Sequence, residues 1–187
     1  ARNICSMVVR STEARCEFAM PADLWQAEAD EAQISQVLNN IVLNARHAMG
    51  DRGTIKLDAE NVTLDADNRL NLKEGRYVRL SVRDSGTGIG TDIIGKVFDP
   101  FFTTRKKASG LGLAVSYSII KKHGGLITVE SEEGTGSAFH VWLPAYAVAA
   151  QAGADAFAGK GGAKVLVMDD DELVRDVVAM MLSILGY

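Results

Sequence analysis

Hydrophobic and polar positions along this chain change period several times, and each change marks an element. Arg15-Cys16-Glu17-Phe18-Ala19-Met20 alternates with period two, as a strand does, and Pro21-Ala22-Asp23 closes it with a turn. Trp25 to Ala29 reads as a short pairing strand. From Asp30 the period becomes helical: Ile34, Val37, Leu38, Ile41, Ala45, Ala48 and Met49 form one apolar stripe, and Asp30 with Gln33 reads as a capping box. Gly50 to Gly53 turns the chain into a strand over 54–60, with Ile55, Leu57 and Ala59 inward, and a polar loop over 65–76 leads to another over 77–83. Asp92 to Val97 makes a helical turn that Pro100 limits. A helix then runs from Gly110 through Leu113, Val115, Ile119 and Ile120 to Lys121-Lys122-His123-Gly124-Gly125, where basic residues and glycine stop it. Strands over 126–130 and 138–143 flank a Glu133-Gly134-Thr135-Gly136 turn, and His140 shares a side with Trp142, which makes it a structural histidine.

The ends read differently. Residues 1–12, with Ile4, Met7 and Val8, fit the end of a helix, and 146–163 is an Ala- and Gly-rich linker without a period. Lys164 to Met168 is an apolar strand that delivers Asp169-Asp170-Asp171-Glu172 to an amphipathic run, Leu173 to Leu185; such a strand end suits a divalent cation. The 187 residues hold one ordinary domain and a piece of another, and the start without Met reads as an excised part of a longer chain. At 47% hydrophobic, 24% charged and net charge −4, the composition supports a core and no basic field recommends nucleic acid. Cys5 and Cys16 lack metal or redox spacing and read as reduced structural residues. No apolar run approaches the ~20 residues of a membrane span, and no signal peptide is visible, so a soluble piece without membrane contact is expected.

The candidate chemistry gathers between Asp84 and Gly112. Asp84 follows the strand over 77–83, and Gly86, Gly88 and Gly90 let the backbone turn and approach a ligand. A carboxylate there only accepts hydrogen bonds, which suits a donor such as an exocyclic amine. Gln36, Asn40, Asn44 and His47 share one face of the first helix, although Asn competes with the backbone in helix interiors; a solvated or locally bonded face is the plain alternative. Phe98, Phe101 and Phe102 are core candidates, or as a group the anchor of a loop that closes and reopens. No GxxxxGK[ST] exists, and GTGIG lacks the GxGxxG spacing of a dinucleotide fold.

In order and spacing these blocks resemble the ATP-binding domain of sensor histidine kinases, which shares its fold with gyrase, Hsp90-type and MutL-type ATPases. QVLNNIVLNARHAM is similar to that family's N box, DSGTGIG to its first glycine box, VFDPFFTTR to its F box, SGLGLAV to its second glycine box and GTGSAFHVWLP to its closing strands. The resemblance covers about residues 13–145 and implies a two-layer α/β sandwich, a mixed sheet of about five strands with helices on one face. It implies that Asn44 places its side-chain oxygen on Mg²⁺ bridging the ATP phosphates, with Asn40 supporting the phosphate end and His47 and Ala48 beside them. Asp84 would take the adenine amine, with Gly86, Gly88 and Ile89 around the base and Ser137 helping to hold the carboxylate. Ser109, Gly110, Leu111, Gly112 and Leu113 would meet the phosphates at a helix N-terminus. Phe102, Thr104, Arg105 and Lys106 would belong to a mobile cover over the nucleotide, with Asn40, Asn44 and Arg105 closest to the chemistry.

The implied reaction is transfer of the γ-phosphoryl group of Mg-ATP to a histidine on an upstream dimerisation domain; none of His47, His123 or His140 lies in a matching motif. The segment 164–187 resembles the start of a receiver domain, with Asp169 and Asp170 matching its acidic Mg²⁺ pair. Together these imply a cytoplasmic catalytic piece, monomeric alone, from a dimeric hybrid kinase that can be membrane-attached elsewhere. Ala108 stands where the family often has Gly, and His47 where it often has a charged residue. A gyrase-type ATP hydrolase is the rival within the fold, but it needs a glutamate where Asn40 stands. A degenerate nucleotide-sensing or scaffolding module is the rival outside enzymes.

Overall fold

A computed structural model describes residues 13–50, 52–105, 108–146 and 178. The segments expected to form the upstream helix end, the linker and the receiver-like strand, including Asp169 and Asp170, lie outside the described residues, as do Lys106 and Lys107. Five strands form one sheet: β1 (Glu13–Ala19), β2 (Arg52–Leu64), β3 (Gly75–Asp84), β4 (Leu126–Glu132) and β5 (Gly136–Pro144), in the order β1-β2-β3-β5-β4. β1 runs parallel to β2, and every other neighbour is antiparallel. A parallel neighbour requires a crossover, and α1 (Glu31–Met49) supplies it. α2 (Gly112–Lys122) packs beside α1 on the same face, which gives the expected two-layer α/β sandwich with a mixed five-stranded sheet.

Alternation along the strands decides what lies between the layers. Cys16 of β1, Ile55 and Leu57 of β2, Val82 of β3, Ile127 of β4 and Phe139, Val141 and Leu143 of β5 meet Ile34, Val37, Leu38, Ile41, Val42 and Ala45 of α1. Ile41 and Ile120 are wholly buried. The apolar stripe of α1 therefore includes Val42, which the helical reading omitted, whereas Ala48 and Met49 are only half-buried near its end. Cys16 is buried and reduced.

The start of α1 departs from a capping box. Asp30 does cap it, accepting from the Gln33 N–H at 2.9 Å, but the Gln33 amide turns to the Asp30 carboxylate at 3.2 Å instead of the backbone. The Asp30 N–H is taken, because it donates to His123 Nε2 at 3.0 Å. His123 Nδ1 lies 2.8 Å from the Ile119 carbonyl, which can only accept, so the ring is the Nδ1–H tautomer. The C-cap of α2 thus ties down the N-cap of α1. The strand expected at 25–29 reduces to one bridge, Ala27 with Ala145, and the helical turn at 92–97 is a 3-10 turn over Ile94–Lys96.

On the sheet's other face, His140 is buried and its Nδ1 lies 2.9 Å from Ser81 Oγ. Burial lowers its pKa more than Glu130, largely exposed at 3.8 Å, raises it; Arg79 and Arg83 lower it further, and Asp58 raises it in smaller measure. A depressed histidine pKa means that the unfolded chain binds more protons below about pH 6.5, so this contribution to stability is full above that pH and falls as the solution is acidified. Urea unfolding at pH 7.5 and 5.5 should therefore show a smaller acid loss in His140→Gln than in the parent chain; equal losses would refute the assignment.

Candidate functional site

The alternation that makes Leu80 and Val82 inward residues makes Asp84, the last residue of β3, an inward residue too. Its register partner on β5 is Ser137, also inward. The core ends here, and a carboxylate stands where the next apolar side chain would. Asp84 is buried; desolvation raises its pKa, and hydrogen bonds from the backbone of Gly86 and Ser137 pull it back. The Gly86 N–H donates to Asp84 Oδ1 at 2.9 Å. The Ser137 hydroxyl instead lies 3.0 Å from Ser131 Oγ, whose own hydrogen goes to the Gly136 carbonyl at 2.7 Å and which takes the Ile89 N–H at 2.8 Å. Ser137 thus serves the carboxylate through its backbone, and its hydroxyl belongs to a chain that fixes the loop after β3.

Asp84 opens onto a cleft of about 810 Å³ between the end of the sheet, α1 and the start of α2. Of the predicted residues, Asn40, Asn44, His47, Ala48, Asp84, Gly88, Ile89, Phe102, Thr104, Arg105, Ser109, Gly110, Gly112, Leu113 and Ser137 line it. Gly86 and Leu111 are not among its lining residues. A Cβ on Gly86 would meet Ala48 Cβ at 2.7 Å and Asp84 Oδ1 at 2.8 Å, so glycine is needed there for α1 to approach the loop. Leu111 is 38% exposed, and its N–H donates weakly to Ser109 Oγ at 3.4 Å. Gly88 does border the cleft, yet its φ is +70° and a Cβ there would stand 2.1 Å from the Glu132 carbonyl, which already demands glycine.

The phenylalanines separate. Phe98 lies tilted against Tyr117 at 5.7 Å between ring centroids and edge-on to Phe139 at 6.5 Å, Phe102 lines the cleft, and Phe101 is 74% exposed with a φ of +66°. Residues missed by sequence reasoning include Leu43, Thr87, Ile93, Val97 and Phe139. Leu43 was legible, being three residues from Asn40 and four from His47 on one helical face; Phe139 was expected only as part of a strand.

The polar side of the cleft is built by α1. Asn40 Nδ2 donates to the Gly112 carbonyl at 3.0 Å and to Ser116 Oγ at 3.1 Å, which binds α1 to the first turn of α2 and leaves Asn40 Oδ1 as its spare acceptor. Asn44 Oδ1 accepts from Arg105 Nη2 at 3.2 Å, and His47 Nδ1 lies 2.6 Å from Arg105 Nη1. Among the described residues no side chain caps the N-terminus of α2 at Leu111, so the amides of its first turn are open to an anion. A buried acceptor among Ile89, Ile93 and Leu113, with amide donors and Arg105 elsewhere on the wall, is chemistry for a flat amine-bearing base joined to an anionic group.

Residues 29–147 match the family described as histidine kinase-, DNA gyrase B- and HSP90-like ATPases. The chain belongs to this family. Among curated relatives, the sensor kinase CckA of Brucella abortus is 38% identical over 181 residues, covering 88% of this chain and 19% of that protein. The sensor histidine kinase ZraS of Salmonella typhimurium is 40% identical over 145 residues, covering 78% of this chain and 29% of that protein. The chain thus spans less than a third of the length of these two relatives. Among solved structures, the catalytic domain of the histidine kinase ThkA is 34% identical with a TM-score of 0.59, covering 77% of this chain and 89% of that one. Full-length ShkA in complex with AMPPNP is 26% identical with a TM-score of 0.60, covering 77% of this chain and 29% of that one. The match spans every residue that lines the cleft. No helix among the described residues is long and apolar enough to cross a membrane.

Proposed function

We propose that this chain is the ATP-binding catalytic domain of a hybrid sensor histidine kinase, which positions Mg-ATP for γ-phosphoryl transfer to a histidine on an upstream dimerisation domain and onward to a receiver aspartate. The observation that carries the reading is Asp84, a buried acceptor on the wall of a cleft whose other polar groups include Asn44, Arg105 and open helix amides. In this reading Asp84 takes the adenine amine while Ile89, Leu113 and Phe102 flank the base. The first-turn amides of α2 and Arg105 take the phosphates, since an always-charged guanidinium suits that contact.

The donor set fits Mg²⁺. Asn44 offers one hard neutral oxygen, and Mg²⁺ is commonly held by one or two protein groups together with substrate phosphates. When bound, the ion would neutralise charge on the transferring phosphoryl group; this chain's own part is to orient the nucleotide and exclude water. Asn40 occupies the place where a water-activating carboxylate would sit in a hydrolase, and its amide is spent on Gly112 and Ser116. That favours transfer over hydrolysis.

The hybrid reading rests on the likeness of residues 164–187 to the start of a receiver domain. The match to CckA covers 88% of this chain, more than the residues up to 147 could supply, so the likeness continues into the segment after the family match. The test is a longer chain carrying the upstream histidine-bearing domain, incubated with γ-labelled ATP. Acid-labile, base-stable label on that domain is expected; nucleotide binding without transfer would leave a sensing or scaffolding module.

A further inference from the structure

Resting on the nucleotide reading, we propose that His47 is a positioning residue that docks Arg105 over Asn44, so that a guanidinium stands at the oxygen assigned to Mg²⁺ until Mg-loaded nucleotide displaces it. A guanidinium has only donors, so the 2.6 Å approach makes His47 Nδ1 an acceptor and its ring the neutral Nε2–H tautomer. The same guanidinium uses its second nitrogen on Asn44 Oδ1 at 3.2 Å. Two acceptors one helical turn apart on α1 thus grip the fork of one arginine, and the arginine's local backbone is braced by the Arg105 N–H donating to Thr103 Oγ1 at 3.1 Å.

Asn44 has one side-chain oxygen, and the guanidinium and a hard cation compete for it. Entry of Mg-loaded nucleotide then requires Arg105 to leave Asn44, and the phosphates are the acceptors it exchanges to. A docked Arg105 reduces the fraction of protein competent to bind, which lowers apparent affinity by that fraction. Arg105 is thus both a competitor for the Asn44 oxygen and a group that receives the ligand.

The test uses this chain with His47→Ala and His47→Asn, since the Asn side-chain amide can place an acceptor near the position of Nδ1. In nucleotide-free protein, imidazole ¹⁵N spectra should show His47 as the Nε2–H tautomer, and Arg105 guanidinium signals should be those of a held side chain in the parent and His47→Asn, and averaged in His47→Ala. Stopped-flow mixing with Mg-loaded AMPPNP should give an association rate about threefold to tenfold faster in His47→Ala, with His47→Asn near the parent. Any direct interaction of the imidazole with phosphate would show in the dissociation rate instead. An Nδ1–H tautomer, freely averaged Arg105 signals in the parent, or an association rate unchanged by His47→Ala would overturn the proposal. Because the spectra are read without nucleotide, failure of the nucleotide reading would appear separately, as no AMPPNP binding in a protein whose Arg105 is docked.

Discussion

Asp84→Asn should remove nucleotide binding while leaving the fold at least as stable. Asparagine keeps an oxygen for the Gly86 N–H, so the 2.9 Å bond survives. What changes is the charge and the acceptor offered to the cleft: an amide that keeps Oδ1 on Gly86 turns an NH₂ donor towards the adenine amine, and two donors then face each other. Loss of a hydrogen bond to a charged group, with a buried donor left unpaired, amounts to at least about a 100-fold weaker complex. Stability moves the other way. Burial holds the folded pKa of Asp84 above its unfolded value, so the ionised carboxylate costs stability at every pH above the folded value, and the cost disappears as pH falls below the unfolded one. Removing the charge removes that cost at neutral pH. Calorimetric affinity and urea midpoint, measured on the same variant, should therefore change in opposite senses; unaltered affinity would refute the adenine assignment.

Gly136→Ala carries the second large effect. Gly136 has a φ of +127°, and a Cβ there would lie 2.0 Å from the Asp84 carbonyl oxygen and 3.0 Å from its carbon. Both neighbours are backbone, and they belong to the last register pair of β3 and β5, Asp84 with Ser137. Relief therefore requires the strands to part where the carboxylate is held. A loss on the order of 3 kcal/mol is expected, combining backbone strain with the clash. Gly134 provides the control: its φ is +84° but nothing lies within 4 Å of its missing methyl, so Gly134→Ala should cost only the strain, about 1 kcal/mol. Equal urea midpoints for the two variants would contradict the packing described around Asp84. Weakened AMPPNP binding in Gly136→Ala, beyond what unfolding accounts for, is the functional counterpart.

The architecture was legible in the sequence because period and burial agree in its strongest elements. The stripe from Ile34 to Ala45 and the alternation through Ile55, Leu57, Val82, Phe139 and Val141 all face one core. What escaped was set by partners far along the chain. β2 continues past residue 60 to Leu64 because Asn61 and Thr63 pair with Val78 and Arg76, and because the Asn61 side chain bonds the Trp25 N–H and the Asp23 carbonyl. The reciprocal bond of the capping box is absent because His123, 93 residues away, already uses the Asp30 N–H.

The cleft was legible for a different reason: the glycine blocks and the Asn40, Asn44 and His47 face each point to chemistry before any fold is known. Their assignments were less legible than their positions. Gly86 and Gly88 read as room for a ligand, yet Ala48 and the Glu132 carbonyl already exclude a side chain at each. Phe101 and Phe102 are adjacent in sequence, but the positive φ of Phe101 sends one outward and lets the other line the cleft.

Calorimetric titration of this chain with AMPPNP, with and without Mg²⁺, decides whether the cleft around Asp84 takes nucleotide. Saturable binding in the micromolar range that tightens when Mg²⁺ is present is the predicted result. Absence of binding under both conditions would contradict it, and would leave the cleft as part of an interaction module that no longer takes nucleotide.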